Sequence, residues 1–273
     1  MTSLPFAELH AFADGDAPHT GNPAAVVLLE TPLDDLMLAG IARSNNLSET
    51  AYLVPVGGER DLWSLRWFTP GHEVDLCGHA TLASAVWLFE ERRVQGDTAR
   101  FDTLSGRLEV SRAGDGLFVM DFPAVAWQPA GPAPGIAEAM GAGAPLEAHD
   151  LSRIHGNRYM MLVYESEAVI AGLKPDLRVL EESGINVLAT APGQSADFVS
   201  RFFCPAAGIS EDPVTGSAHC TLAPYWAGKL DKTRMTARQI GPRPGALEVE
   251  TREGGRVALY GTARPFIQGQ IRL

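Results

Sequence analysis

The sequence predicts an α+β fold of two pseudo-symmetric lobes, each a mostly antiparallel sheet wrapped around a central buried helix. Three observations carry that reading. The chain repeats itself: Arg66-Trp67-Phe68-Thr69-Pro70 recurs 135 positions later as Arg201-Phe202-Phe203-Cys204-Pro205. At the same offset, Gly21-Asn22 with the apolar run 23–29 recurs as Gly156-Asn157 followed by Arg158 and the apolar run 159–164. Each copy then reaches a glycine, small residues and an apolar helix, Cys77-Gly78-His79-Ala80 and Thr215-Gly216-Ser217-Ala218, with three extra residues ahead of the second. Twice the offset nearly fills the 273 residues, so this is one large duplication and not a solenoid of short repeats.

The elements follow in order. Residues 24–29 are continuously apolar and read as a buried strand. Residues 33–43 space their apolar side chains as a helix does. Residues 50–54 read as a strand, and 62–68 alternate like a half-exposed one. Residues 79–90 are apolar nearly all round, which predicts a helix buried on most sides. Strands return at 101–110 and 117–121, with Gly114-Asp115-Gly116 as a hairpin turn. Residues 122–148, rich in Pro, Gly and Ala, read as a crossover carrying a short helix at 135–140. The lobes are therefore placed at 1–125 and 126–273, with the last strand free to return to the first lobe. The second lobe repeats the order with its central helix at 217–229. Pro224 inside it predicts a kink or an early end, because proline removes a helical N–H.

Composition narrows the function. The net charge of −11 opposes binding to a phosphate backbone, so nucleic acid is not an expected partner. The opening residues have neither a basic n-region nor an apolar h-region, and no apolar run is long enough to span a bilayer. Three scattered cysteines, Cys77, Cys204 and Cys220, make no disulfide framework and fit a reducing cytoplasm. There is no Walker loop, no GxGxxG after a strand and no GxSxG elbow, so no nucleotide cofactor is expected. His72, Glu73, Asp75, Cys77 and His79 cluster in sequence, with His219-Cys220 further on, but match no metal-ligand spacing; no metal is expected.

A glycine and a small residue opening a buried helix present free backbone N–H groups and the positive end of the dipole, which suits a carboxylate. Gly78-His79-Ala80 and Gly216-Ser217-Ala218 form a duplicated pair of such ends, and lobes packed face to face would turn both into one cleft. The same residues also serve as ordinary helix caps. Glu49, at the mouth of a strand, is on spacing alone a solvated carboxylate. His79, in the first helical turn, is either structural or an acid–base group that the dipole keeps neutral. Asp212 precedes a proline, where a turn role is the plain reading.

Taken in order, Gly21-Asn22-Pro23-Ala24-Ala25-Val26-Val27, Asn46-Leu47-Ser48-Glu49-Thr50-Ala51, Arg66-Trp67-Phe68-Thr69-Pro70, Cys77-Gly78-His79-Ala80-Thr81 and Glu211-Asp212-Pro213-Val214-Thr215-Gly216-Ser217-Ala218 resemble the phenazine-biosynthesis PhzF-like family. The resemblance implies the diaminopimelate-epimerase-like fold with the site between two lobes. It also implies a cofactor-free isomerase that moves a proton on a small carboxylic acid, with Glu49 as the acid/base and His79 and Asp212 beside it. Asn22, Ser48, Gly78, Ala80, Gly216, Ser217 and Ala218 are the implied substrate-binding residues. An epimerase or dehydratase acting next to a carboxylate, and a non-catalytic small-acid binder, stay open. Diaminopimelate epimerases use one thiol per lobe; here Cys77 stands at the first position but Thr215 at the second, which disfavours a two-thiol racemase and leaves Cys77 as a small buried residue. Self-association as a homodimer suits such a fold but has no residue signal in the chain.

Overall fold

The structure, a computed structural model, describes residues 2–154 and 157–273. Its chain divides into two compact units, residues 1–121 with 259–273, and residues 122–258. Gly156, half of the second Gly-Asn signal, lies outside the described residues.

The first unit contains β1 (Ser3–Ala11), β2 (Asn22–Leu28), α1 (Asp35–Asn45), β3 (Glu49–Pro55), β4 (Leu62–Phe68), β5 (Glu73–Val74), α2 (Gly78–Glu90), β6 (Thr98–Thr103), β7 (Gly106–Gly114) and the start of β8 (Leu117–Pro123). Most pairings are antiparallel, but β2–β3 and β4–β6 are parallel. Parallel neighbours need a crossover, and α1 and α2 supply the two here. Helix α1 is capped by the Asp34 carboxylate, which accepts from the Met37 N–H, and it ends at Asn46 in the left-handed region. Helix α2 packs against β1, β2, β3, β6 and β7, and every side chain from His79 to Phe89 is buried. The alternation of the flanking strands gives it an apolar wall on each side.

The second unit contains β9 (Trp127–Ala130), α3 (Ile136–Ala139), β10 (Glu147–Ile154), β11 (Asn157–Val163), α4 (Glu167–Gly172), α5 (Leu177–Ser183), β12 (Ile185–Pro192), β13 (Phe198–Cys204), β14 (Ile209–Asp212), α6 (Gly216–Leu230), β15 (Arg234–Gln239), β16 (Gly245–Arg252) and the first half of β17 (Arg256–Gly261). It repeats the plan: β11–β12 and β13–β15 are parallel, while β10–β11, β12–β13 and β13–β14 are antiparallel. The final strand, β18 (Ala263–Arg272), pairs antiparallel with β1 and so belongs to the first unit.

The duplication extends to side chains. Arg66 grips Glu73 through two hydrogen bonds and lies over the Phe68 ring; Arg201 grips Glu211 in the same way and lies over Phe203. His10 pairs with Glu8 at 3.1 Å, and His149 with Glu147 at 3.1 Å.

Two expectations change. The stretch 101–110 is not one strand: it breaks after Thr103 into the hairpin β6–β7, whose Gly106 sits at φ 92°. The Thr103 hydroxyl donates to the Gly106 carbonyl and accepts from the Ser105 N–H, a local bond set that outcompetes a continuous ladder. Nor does α6 end early at Pro224; it continues to Leu230. Proline at 224 leaves the Cys220 carbonyl without its helical donor, and the backbone N–H of Val125 fills that place at 3.1 Å.

Candidate active site

In the first unit the chain brings a carboxylate against an imidazole. Glu49 is the first residue of β3, laid beside Ala24 by the parallel β2–β3 register. Helix α2 opens at Gly78, so His79 falls in its first turn, buried like Ala80 behind it. The Glu49 carboxylate comes to 3.2 Å from Nε2 of His79, with side-chain exposures of 13% and 7%. The contact is an ion pair that is not aligned as a hydrogen bond, so both atoms keep capacity toward a substrate. Nδ1 of His79 lies 3.5 Å from Sγ of Cys77, the N-cap residue of α2.

The electrostatics of this trio correct the expectation of a neutral histidine. Burial alone would lower the His79 pKa; the Cys77 sulfur and the Glu49 carboxylate outweigh it and hold the imidazole well above its usual range. The Cys77 thiol is itself pushed up, first by burial and then by Glu49, so it stays protonated at neutral pH. The durable cause of the imidazolium is therefore Glu49. The dipole of α2 opposes that charge but is weaker than a full carboxylate at contact distance. Ligand atoms of Glu49, Cys77 and His79 lie within 4.8 Å of one another.

Ser48 is half-buried just ahead of Glu49, and Asn22 is fully buried as the first residue of β2. The preceding Gly21 sits at φ 79°, and a Cβ there would meet the Ala11 carbonyl oxygen at 2.6 Å, so the Gly-Asn signal is written by the backbone.

In the second unit Asp212 ends β14, nine-tenths buried, and its carboxylate accepts a very short hydrogen bond from the Thr215 hydroxyl. Gln239 on β15 completes the assembly. Its Nε2 donates to the Asp212 carbonyl at 2.5 Å and to the Thr215 hydroxyl oxygen at 3.3 Å, and its Oε1 accepts from the Thr215 N–H at 2.9 Å. Gln239 is buried and lies outside every motif, so sequence spacing missed it. Gly216 opens α6, Ala218 is buried, and Ser217, the counterpart of His79, is exposed. Neither Cys77 nor Thr215 caps its helix with its side chain, so both ends keep free N–H groups. One turn on, Thr81 donates to the Cys77 carbonyl, and Nδ1 of His219 donates to the Thr215 carbonyl at 2.8 Å. Burial depresses the His219 pKa to about 4, so that histidine is neutral and structural.

The family model for phenazine biosynthesis-like proteins matches residues 9–269. The chain belongs to that family. An uncharacterized isomerase of Pseudomonas aeruginosa is 47% identical over 269 residues, 97% of this chain and 98% of the relative. The crystal structure of a PhzF family protein from Enterococcus faecalis superposes with a TM-score of 0.90 at 40% identity, over 100% of both chains. A Pseudomonas aeruginosa structure described as a predicted epimerase superposes with a TM-score of 0.73 over 99% of both chains; at 23% identity that likeness is one of fold. The fold is α+β and of the epimerase-like kind that the sequence implied.

Proposed function

We propose that this member of the family is a cofactor-independent isomerase that moves a proton on a small carboxylic acid, with Glu49 as the general acid/base. The observation that carries the reading is the Glu49 carboxylate 3.2 Å from Nε2 of the buried His79 at the opening of α2, a contact that favours the protonated ring. The isomerase name borne by a 47% identical relative supports it.

The step balances without a redox partner. Glu49 takes a proton from one substrate carbon, becomes a neutral carboxylic acid, and returns the proton to another carbon. As Glu49 is protonated, the negative charge passes from its carboxylate to the substrate. The imidazolium of His79 stays, so its charge is released from Glu49 to stabilise the substrate anion. The first turn of α2, with the N–H groups of Gly78 and His79, suits the substrate carboxylate. In the second unit we assign Asp212 and Ser217 to binding a small acid, with Gln239 and Thr215 fixing Asp212.

The test is incubation with cyclic and amino carboxylic acids in heavy water, followed by NMR. Deuterium uptake with a shifted double bond is expected. Uptake with inversion at an otherwise unchanged centre assigns an epimerase, loss of water a dehydratase, and binding without exchange a non-catalytic acid binder.

A further inference from the structure

We propose that Trp67 contacts the substrate at the first unit's site, its indole N–H donating to an oxygen of the bound acid. The inference rests on the isomerase reading above and adds to it a residue to which neither the fold nor the Glu49–His79 pair has given a use.

The register sets Trp67 beside Glu49. Side chains two apart on a strand share a face, and so do residues directly opposite in an antiparallel pair. Glu49 meets His79 of α2, Ala51 follows it on that face, and Ala51 lies opposite Trp67 of β4. Trp67 is thus the diagonal neighbour of Glu49, a separation that an aromatic side chain spans. The rest of its motif is engaged elsewhere. Arg66 holds Glu73 and Asp35, and Phe68 packs edge-on against Tyr52, whose hydroxyl donates to the Leu38 carbonyl of α1. The Thr69 hydroxyl bonds within its own turn, to the backbone of Gly71 and His72.

A second observation points to a ligand. Trp67 is 1% exposed, and its Nε1 has no hydrogen-bond partner among the described residues. A buried indole N–H normally has one, because an unmet donor loses its water for nothing. Oε2 of Glu49 and Nε2 of His79 are likewise buried without an aligned hydrogen bond, so three such atoms gather on one sheet face of one unit. The duplication shows that packing does not demand the N–H. Phe202, 135 positions on, fills the matching place in the second unit with a plain ring, stacked on Tyr159 at 6.0 Å. An indole N–H next to the acid/base, made by no packing need and met by no protein acceptor, is held for an external one. It donates and never accepts, so Trp67 binds and does not exchange protons: it suits a carboxylate or enolate oxygen of the acid.

Two variants and one signal test this, with the acid that the wild type exchanges fastest in heavy water as probe. Benzothienylalanine placed at position 67 replaces the N–H by sulfur and keeps the ring's volume. Its melting temperature should equal or exceed that of the wild type, while kcat/KM falls by about tenfold or more. Trp67→Phe, which installs the ring that the second unit carries, should lose at least as much. The indole N–H signal that Trp67→Phe lacks should move downfield when the acid is added to the wild type. A benzothienyl protein with kcat/KM within about twofold of the wild type overturns the proposal. So does a clearly lowered melting temperature, which would mean that the N–H was partnered inside the protein, and so does an unmoved Trp67 signal. If neither variant folds, the five tryptophan indole signals of the wild type decide, and none moving at saturation with the acid overturns the proposal. Failure of the isomerase reading is separate: no acid would then exchange, or Glu49→Gln would exchange like the wild type. The Trp67 signal, followed against each cyclic and amino carboxylic acid, would still report the contact or, if none moves it, overturn it.

Discussion

The pairing of Glu49 with His79 ties stability to pH. Burial would lower the His79 pKa, but Cys77 and Glu49 raise it above the roughly 6.5 of a free imidazole. The folded state therefore holds that proton more tightly than the unfolded chain does. The stabilisation is fully present below about pH 6.5 and is lost as pH rises through the raised folded value. Urea unfolding of wild type and His79→Gln between about pH 6 and pH 9 should show the wild-type advantage shrinking as pH rises; an advantage that grows contradicts the ion pair. Cys77 is buried and its thiol is held protonated, so in the native protein it should react with iodoacetamide far more slowly than in the unfolded chain at pH 7.5. Equal rates would place it in an open, thiolate-stabilising site. The sequence displayed Glu49, His79 and Asp212 because they sit in short local motifs. It concealed the charge on His79, since the helix dipole is readable from position whereas the carboxylate facing the ring arrives from a strand thirty positions earlier. Gln239 was hidden for the same reason: it is one polar letter in a strand, and its meaning comes from what the strand lays it beside.

At the scale of elements, α6 shows how a local rule is answered from outside the helix. Proline in a helix interior costs about 3 kcal/mol when nothing compensates. The Val125 N–H already satisfies the carbonyl that Pro224 strands. Pro224→Ala should therefore gain far less than that figure in denaturant unfolding, and amide exchange at Val125 should quicken as the new N–H competes for the Cys220 carbonyl. A gain near the full 3 kcal/mol with unchanged exchange at Val125 would contradict this account. The position of α6 was legible in the sequence but its continuation past Pro224 was not, because the compensating donor lies a hundred residues upstream. The hairpin within 98–114 was missed for a local reason: Thr103 and Gly106 form a tight turn inside what reads as one alternating run.

Across the whole molecule, the duplicated arginine pairs are one design in two environments. Arg201 and Glu211 have side-chain exposures of 9% and 17%, and Arg201 also donates to the Ile170 and Leu173 carbonyls. Arg66 and Glu73 are at 32% and 24%, and Arg66 reaches Asp35 as well. Removing one partner of a buried pair leaves an uncompensated charge, whereas a solvated pair with a spare carboxylate loses little. Glu211→Gln should cost about 3 kcal/mol or more and Glu73→Gln about 1 kcal/mol or less in urea unfolding. Equal costs would mean that the two units do not differ as their burial implies. The duplication was readable because it survives as matching letters at a fixed offset.

The most direct measurement of the central claim is deuterium uptake from heavy water into a carboxylic acid substrate, followed by NMR for wild type and Glu49→Gln side by side. Uptake by the wild type, with a loss on the order of 10² to 10⁴ in the variant while its affinity for the acid and its melting temperature hold, is the result expected of a general acid/base. A Glu49→Gln protein that exchanges the proton at the wild-type rate would contradict it.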